Sequence, residues 1–229
     1  TRMASALLFI ENRDLLASEF PQVNPAVDWG RFIKAAVFKT AEAVNIKTPS
    51  MGGSTLATQI EKYRHSDDGI TSSIEEKLVQ MASASVRVYQ QGADTLPARR
   101  KLVLDYLNTV PLSAAPGFGE VNGIGDGLYV WFGADFDQIN RLLTGPDRRG
   151  EELVQQGAAM RQIISLMIAH RRPSYYLSQN RLDLSQLTDS YLRLLGREGA
   201  ISQSLMTTAL AQKTVFRDFR ANPAVVPQE

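Results

Sequence analysis

The chain has 229 residues, of which 44% are hydrophobic and 21% charged, and a formal net charge of +1. Length and apolar content suffice for one sizeable core, or a core with a smaller lobe, and exclude an intrinsically disordered chain. The near-neutral charge leaves no nucleic-acid-binding footprint. The absence of cysteine excludes disulfides and thiolate metal sites, and suits a periplasmic or a cytoplasmic protein equally.

Taken in order, the elements are mostly helical. The start, Thr1-Arg2-Met3, has no signal-peptide layout and enters an apolar run at once, so it reads as a cut made inside a longer, membrane-anchored protein. No run of about 18 apolar residues follows, so no membrane-spanning helix is expected. Ala4 to Leu16 is a short apolar-rich segment carrying Glu11 and Arg13. After the turn Pro21–Pro25, Asp28 to Val44 reads as a helix with Trp29, Phe32, Ile33, Ala36 and Val37 on one side. Asn45 to Gly53 is a loop, and a helix begins at Ser54 and ends near His65. Ser73 and Glu76 form a capping-box pattern ahead of Ile74, Leu78, Met81, Ser85 and Val88 at helical spacing. Pro97 suits the first turn of the next helix, which runs through Leu102, Val103 and Tyr106 and stops before Pro111. Pro111 to Gly127 reads as an irregular glycine-rich loop, ordered by Phe118, Val121 and Ile124. Leu128 to Phe132 is apolar and aromatic, Phe136 to Leu143 a short helix, and Gly145-Pro146-Asp147 a break. Glu151 to His170 is a long helix whose strongly apolar second half marks it as central. Leu187 to Leu195 and Ser202 to Ala211 are two further helices, and the tail Ala221 to Glu229 reads as frayed. The expected fold is a single all-α domain.

The stretch Gly52-Gly53-Ser54-Thr55-Leu56-Ala57-Thr58-Gln59-Ile60-Glu61-Lys62 carries the first chemical signal. Paired glycines permit a tight turn or close approach of a ligand, and Ser54 sits where an N-cap belongs. Free N–H groups at a helix start, with a lysine two turns on, form an anion cradle. Taken alone, the same residues describe ordinary helix initiation.

In its offsets this stretch resembles the second motif of the glycosyltransferase family 51 domain, the peptidoglycan polymerase of class A penicillin-binding proteins. Phe9-Ile10-Glu11-Asn12-Arg13 resembles the first motif, with Glu11 on the catalytic glutamate, although Asn12 replaces an aspartate, Leu15 an aromatic and Ser18 a histidine. Glu76 to Ala84 resembles the third motif. Lys77 and Ala84 match there, but Gln80 stands where the family has its second glutamate. Gln80 cannot ionise, yet it can hydrogen-bond a sugar. Glu75 and Glu76 lie about one helical turn, roughly 6 Å, from that position. Leu102 to Asn108, ending Tyr106-Leu107-Asn108, resembles the fourth motif, with its acidic residue displaced to Asp105. By itself it is a buried helix closed by an Asn108 cap. Gly123 to Gly133 resembles the fifth motif, and Pro173-Ser174-Tyr175-Tyr176 the end of the domain.

The resemblance implies a lysozyme-like helical fold with a smaller membrane-proximal jaw lobe at about residues 25–53. Asp28–Val44 could equally be an ordinary core-facing helix. It implies an inverting hexosyltransferase at the outer face of the bacterial inner membrane, acting on a lipid-linked disaccharide precursor and the nascent glycan strand. Glu11 is then the catalytic base, with Gln80 in the second catalytic position. Arg13, Ser54, Thr55, Gln59, Lys62, Lys77 and Asn108 would bind substrate or pyrophosphate. No protein metal site is implied, although a divalent cation, Mg or Mn, could accompany the pyrophosphate. Two alternatives stay open: a catalytically impaired relative that binds lipid-linked glycan or a cell-wall partner, motivated by Gln80, and a lysozyme-like glycan hydrolase.

Overall fold

The structure, a computed structural model, describes residues 2–11 and 92–219. The jaw-like lobe, the helices expected at Asp28–Val44, from Ser54 and from Ser73, and the tail Ala221–Glu229 lie outside the described residues. Packing divides the chain into two units, Glu11–Tyr106 on one hand and Thr1–Ile10 with Leu107–Glu229 on the other. The described residues are mainly helical, as expected, and carry one two-stranded antiparallel sheet. Among them no helix is long and apolar enough to cross a membrane.

Helix α1 spans Arg2–Glu11 and buries Met3, Ala6 and Leu7, the spacing of one helical face. Helix α2 spans Leu96–Thr109, with Pro97 in its first turn where a missing N–H costs no hydrogen bond. The Asp94 carboxylate accepts the Leu96 N–H at 2.9 Å, and Thr95 and Arg99 are fully buried. Asn108 lies inside the last turn rather than beyond it. It does not close the helix as a cap, because Thr109 continues the helical backbone.

The segment expected to be irregular, Pro111 to Gly127, is instead a hairpin followed by a short helix. Strands β1 (Pro111–Ala115) and β2 (Gly119–Asn122) pair antiparallel, Ala115 opposite Gly119 and Ala114 opposite Glu120. Pro116-Gly117-Phe118 makes the turn, with the Phe118 N–H on the Ala115 carbonyl at 3.0 Å. A bulge between Pro111 and Ala114 interrupts the register, and Ser113 takes the left-handed conformation there (φ 68°). That bulge breaks the apolar–polar alternation by which a strand shows in sequence. Helix α3 (Ile124–Gly127) runs directly into a π-helical turn, Leu128–Phe132.

Helix α4 (Phe136–Leu143) begins at Asp135, whose carboxylate accepts the Gln138 N–H at 2.7 Å. Helix α5 (Glu151–Ala169) is the central element, with every residue from Ile163 to Ala169 buried. Against it pack α4, α6 (Arg181–Arg197) and α7 (Gln203–Ala211). Each fully buried Leu, Ile or Met of this layer contributes about 1.5–3 kcal/mol. Gly157 allows the α5–α7 crossing to be close, since a Cβ there would lie 2.9 Å from Thr208 Cγ2 and 3.0 Å from the Ala209 nitrogen. Helix α6 starts earlier than Leu187, because Asn180 accepts the Asp183 N–H at 3.2 Å and nucleates a turn ahead of the apolar run.

Two buried polar side chains tie this layer to its loops. Gln156, fully buried, donates to the Leu142 carbonyl at 2.7 Å and accepts the Arg148 N–H at 3.0 Å. Arg161 is 3% exposed and donates to Asp189 (2.6 Å), Ser185 (2.8 Å) and Thr214 (3.1 Å), which joins α5, α6 and the segment after α7. A buried cation with this many acceptors is tolerated, whereas an unpaired one would not be.

Candidate active site

Of the residues expected to carry the chemistry, Arg13, Ser54, Thr55, Gln59, Lys62, Lys77 and Gln80 lie outside the described residues. Glu11 is the last residue of α1. Asn108 is exposed in the last turn of α2. Asp105, the displaced acidic residue of the fourth motif, pairs with Lys101 one turn back at 2.9 Å.

What the structure adds is the framework under Asn108. Gly123 opens the fifth motif with φ 84° and ψ 156°, a region open essentially to glycine alone. Its N–H donates to the Val110 carbonyl at 2.7 Å. A Cβ on Gly123 would lie 2.5 Å from the Asn108 carbonyl oxygen and 2.8 Å from its carbon. The fourth and fifth motifs therefore touch backbone to backbone, and the end of α2 is fixed by that contact. Trp131, in the π-helical turn, is 1% exposed and donates its indole N–H to the Leu112 carbonyl at 3.0 Å. That bond satisfies a carbonyl at the β1 bulge and locks the hairpin to the fifth motif.

The Pro-Ser-x-Tyr element forms a second polar cluster. Ser174 hydrogen-bonds Ser113 at 2.9 Å. The Tyr175 hydroxyl donates to Asp183 and accepts from Asn180 Nδ2 at 3.0 Å, while the Arg172 guanidinium lies 4.2 Å from the Tyr175 ring. The hydrogen bond to Asp183 and then burial raise the Tyr175 pKa, so the phenol stays protonated and acts as a fixed donor.

Residues 212–219, after α7, form an extended strap that sequence reasoning missed. The Arg217 N–H donates to the Trp131 carbonyl and its guanidinium to the Tyr129 carbonyl, each at 2.7 Å. The same guanidinium lies 4.7 Å from the Tyr129 ring, and Phe219 meets Trp131 edge to face at 5.6 Å. Phe216 packs on Phe132 at 5.2 Å, with the Arg181 guanidinium 4.1 Å from its ring. The available signal was Phe216-Arg217-Asp218-Phe219, an aromatic pair in an otherwise polar tail. Among the described residues no group of three or more His, Cys, Asp or Glu could hold a metal ion.

Residues 1–193 match the protein-family model described as Transglycosylase. No curated protein matches the chain.

Proposed function

The chain belongs to the transglycosylase family, the glycosyltransferase family 51 domain of class A penicillin-binding proteins, and from that premise we propose that it polymerises lipid-linked disaccharide-peptide (lipid II) into glycan strands. The single observation that carries this reading is the family match over residues 1–193, which takes in Glu11 and the Gly52–Lys62 stretch. In the proposed reaction the acceptor 4-hydroxyl attacks the donor anomeric carbon with inversion. The donor C–O bond breaks and undecaprenyl pyrophosphate leaves with the bonding pair.

Glu11 is proposed to take the proton from the attacking hydroxyl, a contribution of about 10²–10⁴ in rate for a positioned base. Arg13, Lys62 and Lys77, with the hydroxyls of Ser54 and Thr55 and the amide of Gln59, are proposed to neutralise or bind the pyrophosphate. Gln80 and Asn108 are proposed to hydrogen-bond sugar. A divalent cation, Mg or Mn, would be held by the phosphates themselves, and the described residues offer no cluster of ligands for it. The site of action proposed is the outer face of the bacterial inner membrane.

Gln80 favours a second reading, a relative that binds lipid-linked glycan without efficient turnover. Incubation with the lipid-linked precursor separates the readings. Polymer formation supports the polymerase, and saturable binding without product the impaired relative. Soluble fragments released from finished cell wall would instead indicate a hydrolase. In the Gln80→Glu variant a rise in rate identifies the missing carboxylate as the limiting group; an unchanged or lower rate shows that it is not.

A further inference from the structure

We propose that the cleft formed by the 146–149 loop, Arg2 of α1 and the first turn of α7 binds a phosphate-class oxyanion. The cleft is an open pocket of about 650 Å³ lined by Arg2, Arg148 and Arg149, with Asp147 as the one acidic residue among the described lining, and by Ser202 and Ser204 at the start of α7. Arg2 and Glu11 are at opposite ends of α1, about 14 Å apart along its axis at 1.5 Å per residue. The part of the cleft contributed by 199–204 also lies beyond the family match, which ends at 193.

Asp147 is already committed. It pairs with Arg2 at 2.6 Å, and although burial alone would raise its pKa, the Ser202 hydroxyl and Arg2 together hold the carboxyl below its ordinary value. One aspartate therefore offsets one of three arginines. Arg148 spends Nη2 on the Arg141 carbonyl at 3.1 Å. Its Nε, like Nη1 of Arg2, is shielded from solvent and has no acceptor among the described residues. Arg149 is exposed and makes no hydrogen bond or ion pair among the described residues, which leaves its guanidinium fork free. Ser202 caps the Leu205 N–H at 3.0 Å, and the amides of Gln203 and Ser204, the first two of α7, have no intrahelical acceptor.

The donor set selects the ligand class. The Arg149 guanidinium fork, the Ser202 and Ser204 hydroxyls and the start of α7 border the same cleft, a donor-rich set that suits an oxyanion with three or more accepting oxygens. Among the described residues the lining contains no aromatic side chain to offer a stacking face for a sugar or a base. Free phosphate or pyrophosphate and the phosphate of a lipid headgroup share this chemistry.

The test follows the backbone amides of Gln203 and Ser204 by NMR in the full chain, at constant ionic strength, during titration with inorganic pyrophosphate. In parallel, the same resonances are followed with phosphatidylglycerol and with phosphatidylcholine vesicles. A saturable shift with pyrophosphate assigns a soluble oxyanion, and broadening with phosphatidylglycerol vesicles alone assigns a lipid headgroup. In either case the half-saturation point should rise about tenfold in Arg149→Ala, the loss of one charge-assisted contact, and the fold should be unchanged because the Arg149 side chain is exposed and makes no hydrogen bond or ion pair among the described residues. The proposal fails if the two amides respond to neither ligand, or respond identically in wild type and Arg149→Ala.

Discussion

Replacing Gly123 by alanine tests whether the fourth and fifth motifs are joined as the structure shows. The substitution has two separable costs. The backbone at φ 84° and ψ 156° is nearly closed to residues with a Cβ, a strain of about 1–3 kcal/mol. The new Cβ would also lie 2.5 Å from the Asn108 carbonyl oxygen, a backbone atom that cannot swing aside, and such overpacking costs about 1–3 kcal/mol more. The expected total is about 4 kcal/mol. Gly119→Ala is the matched control, because Gly119 also has a left-handed φ of 72° but a Cβ there meets nothing within 4 Å. It should cost about 1 kcal/mol. Urea unfolding of the full chain, followed by circular dichroism and by tryptophan fluorescence, gives both values, and agreement between the probes licenses a two-state treatment. If the two variants lose the same stability, the contact with Asn108 contributes nothing and the end of α2 is held by something else.

Other perturbations follow from the buried polar groups. Arg161→Met keeps the bulk of the stem but strips donors from Asp189, Ser185 and Thr214. A loss of about 3 kcal/mol in urea unfolding is expected, at the low end for breaking a buried pair because the Asp189 side chain, 30% exposed, can regain water. Trp131→Phe removes the indole donor from the Leu112 backbone carbonyl and should cost about 1–3 kcal/mol in urea unfolding. Asp147→Asn probes the α1–loop tie by pH. Because the folded carboxyl titrates below its ordinary value of 3.8, its contribution is complete above about pH 4 and disappears as pH falls through the lowered value. The melting-temperature gap between wild type and Asp147→Asn should therefore be constant near neutrality and close under acid, and a gap that widens with acid would refute the assignment.

How much of this was legible in sequence depended on whether the signal was local. Phe136–Leu143 was readable from end to end because Asp135 caps it and Gly145-Pro146 stops it, all within a few residues. The central position of α5 followed from an apolar run too long for one helical face. The hairpin was hidden because its strands are short and the bulge at Ser113 interrupts their alternation. The strap after α7 was hidden for a different reason: its order comes from the distant carbonyls of Tyr129 and Trp131, which Arg217 caps across 80-odd residues, and no periodicity announces such a partner. For the site, the motifs gave the family, which the match over residues 1–193 bears out. The Gly123–Asn108 contact was not readable, since a glycine required by a neighbour's backbone looks the same in sequence as a glycine required by a turn.

The proposed role of Glu11 as the base of a polymerising glycosyltransferase is tested by comparing Glu11→Gln with wild type for both precursor binding and strand synthesis. The expected result is near-equal affinity for the lipid-linked precursor and a rate of polymer formation lower by at least about 100-fold, the share of a positioned general base. Polymer formed by Glu11→Gln at the wild-type rate would contradict it.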